Sequence, residues 1–199
     1  MEESKILQEV REFVEAKLKA EIPSTFHYHN LSHTREVVEA VEKIATAEKI
    51  SDEDLEILLL AAWFHDTGYT QTYDDHEAES AAIADRFLSE KDFPEPRKKE
   101  VIQLILATKY PPSPESLLEE IICDADTYSL GVPDYIDKNQ KIRQEWLEVH
   151  GSEYEDKEWL EMSIAFLQTH RYFTDFAKKN LEAGKFKNIE TLQKELYQL

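Results

Sequence analysis

Apolar residues recur at three- and four-residue spacings along most of this chain, and the breaks in that rhythm mark out a series of helices. Ile6, Val10, Phe13, Val14 and Leu18 share one face of a first amphipathic segment, which Pro23 closes. A second begins after the polar and aromatic stretch 26–33, where Asn30 or Ser32 can cap a helix carrying Val37, Val38, Val41 and Ile44. His33 then falls in that helix's first turn. Ser51-Asp-Glu-Asp54 has capping-box character and opens a run, 55–64, that is apolar nearly all round, as expected of a helix at the centre of a bundle. Gly68 is expected to stop that helix. Further helices are expected at about 75–90, 95–109 and 114–128, with Pro111-Pro112-Ser-Pro114 as a break before the third. After Gly131 the pattern continues at about 133–150, 155–171 and 175–199, the last interrupted at Gly184.

No repeat, low-complexity tract or linker divides the 199 residues, so one all-α domain over 1–199 is expected. Its apolar fraction of 41% is enough for a core, and glycine is rare, at 4 residues. With 42 acidic against 23 basic residues, the formal charge of -19 repels duplex nucleic acid and anionic membranes. A small phosphorylated substrate stays compatible with that field, because a bound divalent cation can dominate the local potential. The one cysteine, Cys123, lies between Ile122 and Asp124 and reads as a small core thiol in a reducing, cytoplasmic setting. No stretch approaches the roughly 18 apolar residues of a membrane span, and the N-terminus shows no targeting pattern.

Five of the seven histidines lie between positions 27 and 76, and one of them, His65, is followed directly by Asp66 at the end of the apolar run. An unpaired charged carboxylate buried there would cost several kcal/mol, so the pair is expected to be hydrogen-bonded or metal-bound. Alone, such a dipeptide is more often a hydrogen-bonded pair near a helix end. Neighbouring residues on a helix point about 100° apart, but both can grip one ion where the backbone relaxes, if other helices supply further ligands. His33 and Asp126 are the candidates for that.

The constellation His33, His65-Asp66 and Asp126, each part on a different expected helix, resembles the H…HD…D signature of the HD superfamily. The resemblance extends to Tyr28-His-Asn-Leu-Ser-His33, Ala61-Ala-Trp-Phe-His-Asp-Thr-Gly-Tyr69, His76-Glu-Ala-Glu-Ser-Ala81, Leu106-Ala-Thr108 and Cys123-Asp-Ala-Asp-Thr-Tyr-Ser-Leu-Gly131. It covers a core of about 26–131, and Phe166-Leu-Gln-Thr-His170 and Tyr172-Phe-Thr174 look like the C-terminal helices, about 133–199, of the same predicted metal-dependent phosphohydrolases. The resemblance implies packed helices around one divalent cation held by His33, His65, Asp66 and Asp126, and hydrolysis of a phosphate ester, often a nucleotide, by a metal-activated water. Two imidazoles and two carboxylates suit Mn²⁺, Fe²⁺, Co²⁺, Ni²⁺ or Zn²⁺ better than Ca²⁺. The family's aspartate follows an alanine, which favours Asp126 over Asp124 as the late ligand and leaves Asp124 a supporting or structural role.

Around those four, Asp66 can also orient the attacking water, and Glu77 can give or take a proton. Lys109 at a helix end is a candidate for holding phosphate, while Tyr110 stands where a further histidine ligand would be expected. His29, His76 and Arg35 are candidates for contacting substrate, and His170-Arg171 for capping the pocket. Each also has a plain reading as a packed or solvated side chain. Two rival functions stand beside phosphoester hydrolysis. One is a di-iron oxygenase, which needs more histidines. The other is a non-catalytic module that keeps the metal for stability or sensing.

Overall fold

The computed structural model describes residues 4–199, which form ten α-helices and two short 3₁₀ turns with no strand among them. Helix α1 (Lys5–Glu21) is capped by the Ser4 hydroxyl and stops at Ile22, just before Pro23. Helix α2 (Leu31–Glu48) starts from Asn30, whose side chain accepts from the Ser32 N–H, so Asn30 rather than Ser32 is the cap. Helix α3 (Asp52–Phe64) is capped by Ser51 and buries every residue from Ile57 to Phe64. A helix polar on no side has to be enclosed. It is: α1, α2, α4, α5 and α6 all pack against it.

Helix α4 spans His76–Glu90, α5 Glu95–Ala107 and α6 Leu117–Asp126. Helix α5 ends two residues sooner than its apolar pattern suggests, leaving Lys109 and Tyr110 in the connection that follows. Ser116 caps α6, which starts at Leu117, three residues later than expected, and Asp126 is its last residue. Helices α1–α6 share one large apolar cluster. A 3₁₀ turn, Tyr128–Gly131, leads to α7 (Tyr135–His150), α8 (Asp156–Thr169), α9 (Asp175–Asn180) and α10 (Glu182–Leu196). Leu130, Tyr135, Leu160, Ile164, Leu167, Ile189 and Leu192 make a second cluster beside the first.

Two glycines act differently from their expected roles. Gly68 does not stop α3, which ends at Phe64; it lies in the 3₁₀ turn Thr67–Thr70, and a Cβ there would meet the His76 carbonyl oxygen at 2.0 Å. It lets the start of α4 press onto the turn that carries Asp66. Gly184 does not interrupt the last helix either. The break falls at Leu181, and Gly184 sits inside α10, where an added Cβ would be 1.8 Å from the Gly131 carbonyl oxygen. Its smallness docks α10 against the end of the second 3₁₀ turn. No helix among the described residues is long and apolar enough to cross a membrane.

Candidate metal centre

Four helix ends converge near the middle of the molecule. His33 comes from the first turn of α2, His65 caps the C-terminus of α3, Asp126 ends α6, and His76 begins α4. The backbone is still helical at His65 (φ -49, ψ -37) but departs at Asp66 (φ -106, ψ 6), so two adjacent side chains turn toward one point.

His33 Nε2 lies 3.1 Å from Asp126 Oδ1 and 3.4 Å from Asp66 Oδ2. His65 Nε2 lies 3.3 Å from Asp66 Oδ2 and 3.6 Å from Asp126 Oδ1. The ligating atoms of His33, His65 and Asp66 all fall within 4.8 Å of one another, and all three residues are buried. His65 is oriented by its other nitrogen, Nδ1, which donates to the Ala62 carbonyl at 2.8 Å and so presents Nε2 to the carboxylates. His65 Nε2 and Asp66 Oδ2 are both fully buried and neither has a hydrogen-bond partner. Two such orphaned atoms facing each other are costly as they stand, and a divalent cation between them removes the cost. The donor set, two imidazole nitrogens and two carboxylate oxygens, fits a transition-metal dication.

The electrostatics agree. Burial opposes ionisation of Asp66 and Asp126, and the facing imidazoles overcome it, His65 foremost for Asp66 and His33 for Asp126, so both carboxyls lie below the usual carboxylate range. Burial likewise opposes a charged His65, yet Asp66 opposite raises it well above its ordinary value. Cation uptake at such a cluster is accompanied by proton release.

The remaining candidates divide into two groups. His76 Nε2 is 3.5 Å from Asp66 Oδ1, on the far side of that carboxylate from the cluster, and the ring stacks on Tyr69 at 3.8 Å. Glu77 is buried, with Oε2 3.7 Å from His76 Nδ1. His29 packs against Tyr69, 4.6 Å between ring centres, and its Nδ1 meets Glu145. These three line a cavity of about 500 Å³ that also touches Asp66 and Asp126. Lys109 and Arg35 are not brought to it. Lys109 is 58% exposed and paired with Asp75, because α5 ends before reaching it. Arg35 is 51% exposed and held at 2.6 Å by Glu15 of α1. Of the late pair, His170 lines the cavity and Arg171 faces solvent. Cys123 is buried, donates to the Ala107 carbonyl at 3.2 Å, and burial pushes its thiol pKa up.

Asp124 has a different task from Asp126. It is fully buried and accepts from the Phe173 N–H (2.9 Å) and from the Thr174 N–H and hydroxyl (2.7 Å each), tying the segment before α9 to α6.

One polar residue escaped the sequence reading. Glu145 on α7 is 0% exposed, and it accepts from the backbone N–H groups of Tyr28 (2.9 Å) and His29 (3.0 Å), from the His29 ring and from the Tyr73 hydroxyl (3.2 Å). Burial favours a neutral His29, and the Glu145 hydrogen bond outweighs it, raising the His29 pKa. In the sequence, Glu145 is one of two glutamates on an amphipathic helix, and no motif flanks it.

A family model, that of the HD domain, matches residues 30–131, just over half of the chain. The chain belongs to the HD family. The match runs from the cap of α2 to the end of the second 3₁₀ turn and contains all four cluster residues. The HD fold extends beyond it. A structure described as a predicted HD superfamily hydrolase from an uncultured Thermotogales bacterium aligns with TM-score 0.63 at 23% identity, over 96% of this chain and 92% of its own. A protein from Lactobacillus plantarum aligns with TM-score 0.68 at 16% identity over the whole of both chains. No curated protein matches. The all-α HD architecture thus includes α7–α10 as well as the segment the family model covers.

Proposed function

We propose that this HD protein is a metal-dependent phosphohydrolase acting on a small phosphate ester through one divalent cation held by His33, His65, Asp66 and Asp126. The observation that carries this reading is the pair of buried, unpartnered atoms, His65 Nε2 and Asp66 Oδ2, in a cluster that borders a cavity of about 500 Å³. When bound, the cation supplies Lewis acidity toward the phosphoryl oxygens and lowers the pKa of an attacking water. The reaction needs no redox partner: water adds at phosphorus, the P–O ester bond breaks, and the leaving oxygen takes a proton.

The protein's own groups do the positioning. Asp66 Oδ1 faces the cavity beside His76, where it can orient water, and Glu77 is the buried carboxylate available to exchange a proton. His29, fixed through Nδ1 by Glu145, keeps Nε2 as its free ring nitrogen for a phosphoryl oxygen. The phosphate-holding role expected of Lys109 falls to the histidines instead. No histidine stands just past the end of α5, where Lys109 and Tyr110 are found instead, which favours one cation and weighs against a di-iron oxygenase.

The test is to strip metal with a chelator, verify its removal, and reload with Mn²⁺ or Co²⁺ while following release of phosphate from a panel of nucleotides and simple phosphate esters. Turnover should vanish on stripping and return on reloading. Undiminished turnover by verified metal-free protein, or none of any ester by the reloaded protein, overturns the proposal.

A further inference from the structure

The cavity has two ends of different chemistry. One is the metal centre with His29, His76 and Glu77. The other is built by α7 and α8 from Tyr135, Asn139, Trp146, Trp159, Ser163 and Phe166. Asn139 organises this second end: Trp159 Nε1–H donates to its Oδ1 at 2.7 Å, and its Nδ2 donates to the Ser163 hydroxyl at 2.9 Å and the Tyr135 hydroxyl at 3.2 Å. Both N–H donors of the buried amide and one of its two Oδ1 lone pairs are thereby used within the wall. The amide chiefly fixes its neighbours. Each hydroxyl has accepted one bond and retains its own hydrogen to donate. Trp146 and Trp159 meet edge to face at 5.6 Å, and Phe166 and Tyr110 lie 5.6 Å apart near the same wall.

No lysine or arginine is among the described residues that line this cavity, whereas Asp66, Glu77 and Asp126 are. His170, the histidine nearest Phe166 in sequence, is pushed down to about 4 by burial and by Lys185, so it brings no charge near neutrality. A chain of phosphates would therefore find carboxylates and aromatic rings where it needs cations.

Resting on the phosphohydrolase reading, we infer that the α7–α8 end of the cavity is a subsite for a flat, uncharged aromatic group, so the substrate is a monophosphate ester of a nucleoside-like group and not a polyphosphate. The aromatic walls supply stacking, the Ser163 and Tyr135 hydroxyls supply two donors to ring acceptors, and the metal centre takes the single phosphate.

The test is tryptophan-fluorescence or calorimetric titration of Mn²⁺-loaded protein with inorganic phosphate, a nucleoside 5′-monophosphate and the matching triphosphate, with turnover measured separately. The monophosphate should bind at least about tenfold more tightly than either inorganic phosphate or the triphosphate, the scale expected of one stacked ring. Phe166→Ala and Ser163→Ala should each weaken monophosphate binding by about fivefold or more, with helical content checked by circular dichroism. Phe166 is only half-buried, and the ligand series on unmodified protein needs no variant. A triphosphate that binds as tightly as the monophosphate, or no preference of monophosphate over inorganic phosphate, overturns the subsite. Tight monophosphate binding without turnover would instead leave the subsite standing and remove the hydrolase reading. Turnover of triphosphates alone would do the reverse.

Discussion

Glu145, 116 residues from His29 in sequence and fully buried, receives the backbone N–H and the ring Nδ1 of His29 on its two carboxylate oxygens. The acid on α7 thus sets both the path of the chain entering α2 and the orientation of the ring that faces the metal centre. Glu145→Ala leaves the Tyr28 and His29 N–H groups without their acceptor, and a loss of about 3 kcal/mol in folding stability is expected. Glu145→Gln keeps the shape but not the charge; turnover should fall by about 100-fold through mispositioning of His29, with a smaller stability loss. Urea unfolding and steady-state kinetics on the two variants check this, and wild-type turnover by Glu145→Gln would separate the dyad from the reaction.

The two late aspartates should separate cleanly. Asp126→Asn removes a ligand charge, so Mn²⁺ affinity should drop by more than the roughly 10–100-fold that loss of an outer partner costs. Asp124→Asn puts an amide NH₂ against the donors of Phe173 and Thr174, costing about 2–3 kcal/mol of stability with little change in metal affinity. Metal titration alongside thermal unfolding reads both, and equal metal affinities would reverse the assignment. His65→Ala should abolish metal binding with helical content retained, since α3 is held by its apolar residues.

His170 predicts an acid limb in the stability profile. Its ordinary pKa of about 6.5 applies to the unfolded chain, and burial with Lys185 nearby lowers it to about 4 in the folded protein. Between those values the unfolded state binds more protons, so stability falls as pH falls from about 6.5 toward 4, by about 3 kcal/mol in all. His170→Gln should flatten that window, measured as urea midpoints against pH. An unchanged slope would place the acid sensitivity elsewhere.

Gly184→Ala sets two effects against each other. Alanine should gain about 1 kcal/mol of helix propensity inside α10. The new Cβ would meet the Gly131 carbonyl oxygen at 1.8 Å, and that backbone has little room to yield. Overpacking of this kind costs about 1–3 kcal/mol or more, so a net destabilisation of about 2 kcal/mol is expected in thermal melts. A more stable variant would show that the helix and turn can separate freely.

Much of this was legible because it is local. Ser51 and Pro23 bound their helices through their own chemistry, and the His65-Asp66 pair stands out against ten nearly uninterrupted apolar residues. His33 and Asp126 could be joined to it through the family pattern. Glu145, Lys109 and Arg35 were illegible for the opposite reason. Whether a glutamate on an amphipathic helix is buried, or a lysine reaches a cavity, depends on where α7 docks and on whether α5 ends two residues early, and neither is written in a local pattern. Gly68 and Gly184 show the same limit: both are close-approach glycines whose partners lie in other elements.

The cavity's two walls come from different stretches of chain, the metal side from His29 and residues within 30–131 and the aromatic side chiefly from α7 and α8 beyond them. Inheritance of the chemistry and inheritance of the choice of substrate are therefore separable. On the proposed reading, relatives that keep the His/Asp cluster while α7 and α8 drift would share a reaction without sharing a substrate. Conversely, transplanting 135–169 between two such proteins is the exchange expected to carry a preference across while leaving the His/Asp cluster where it was. The packing of α8 against α10 marks the seam along which that exchange has to fit.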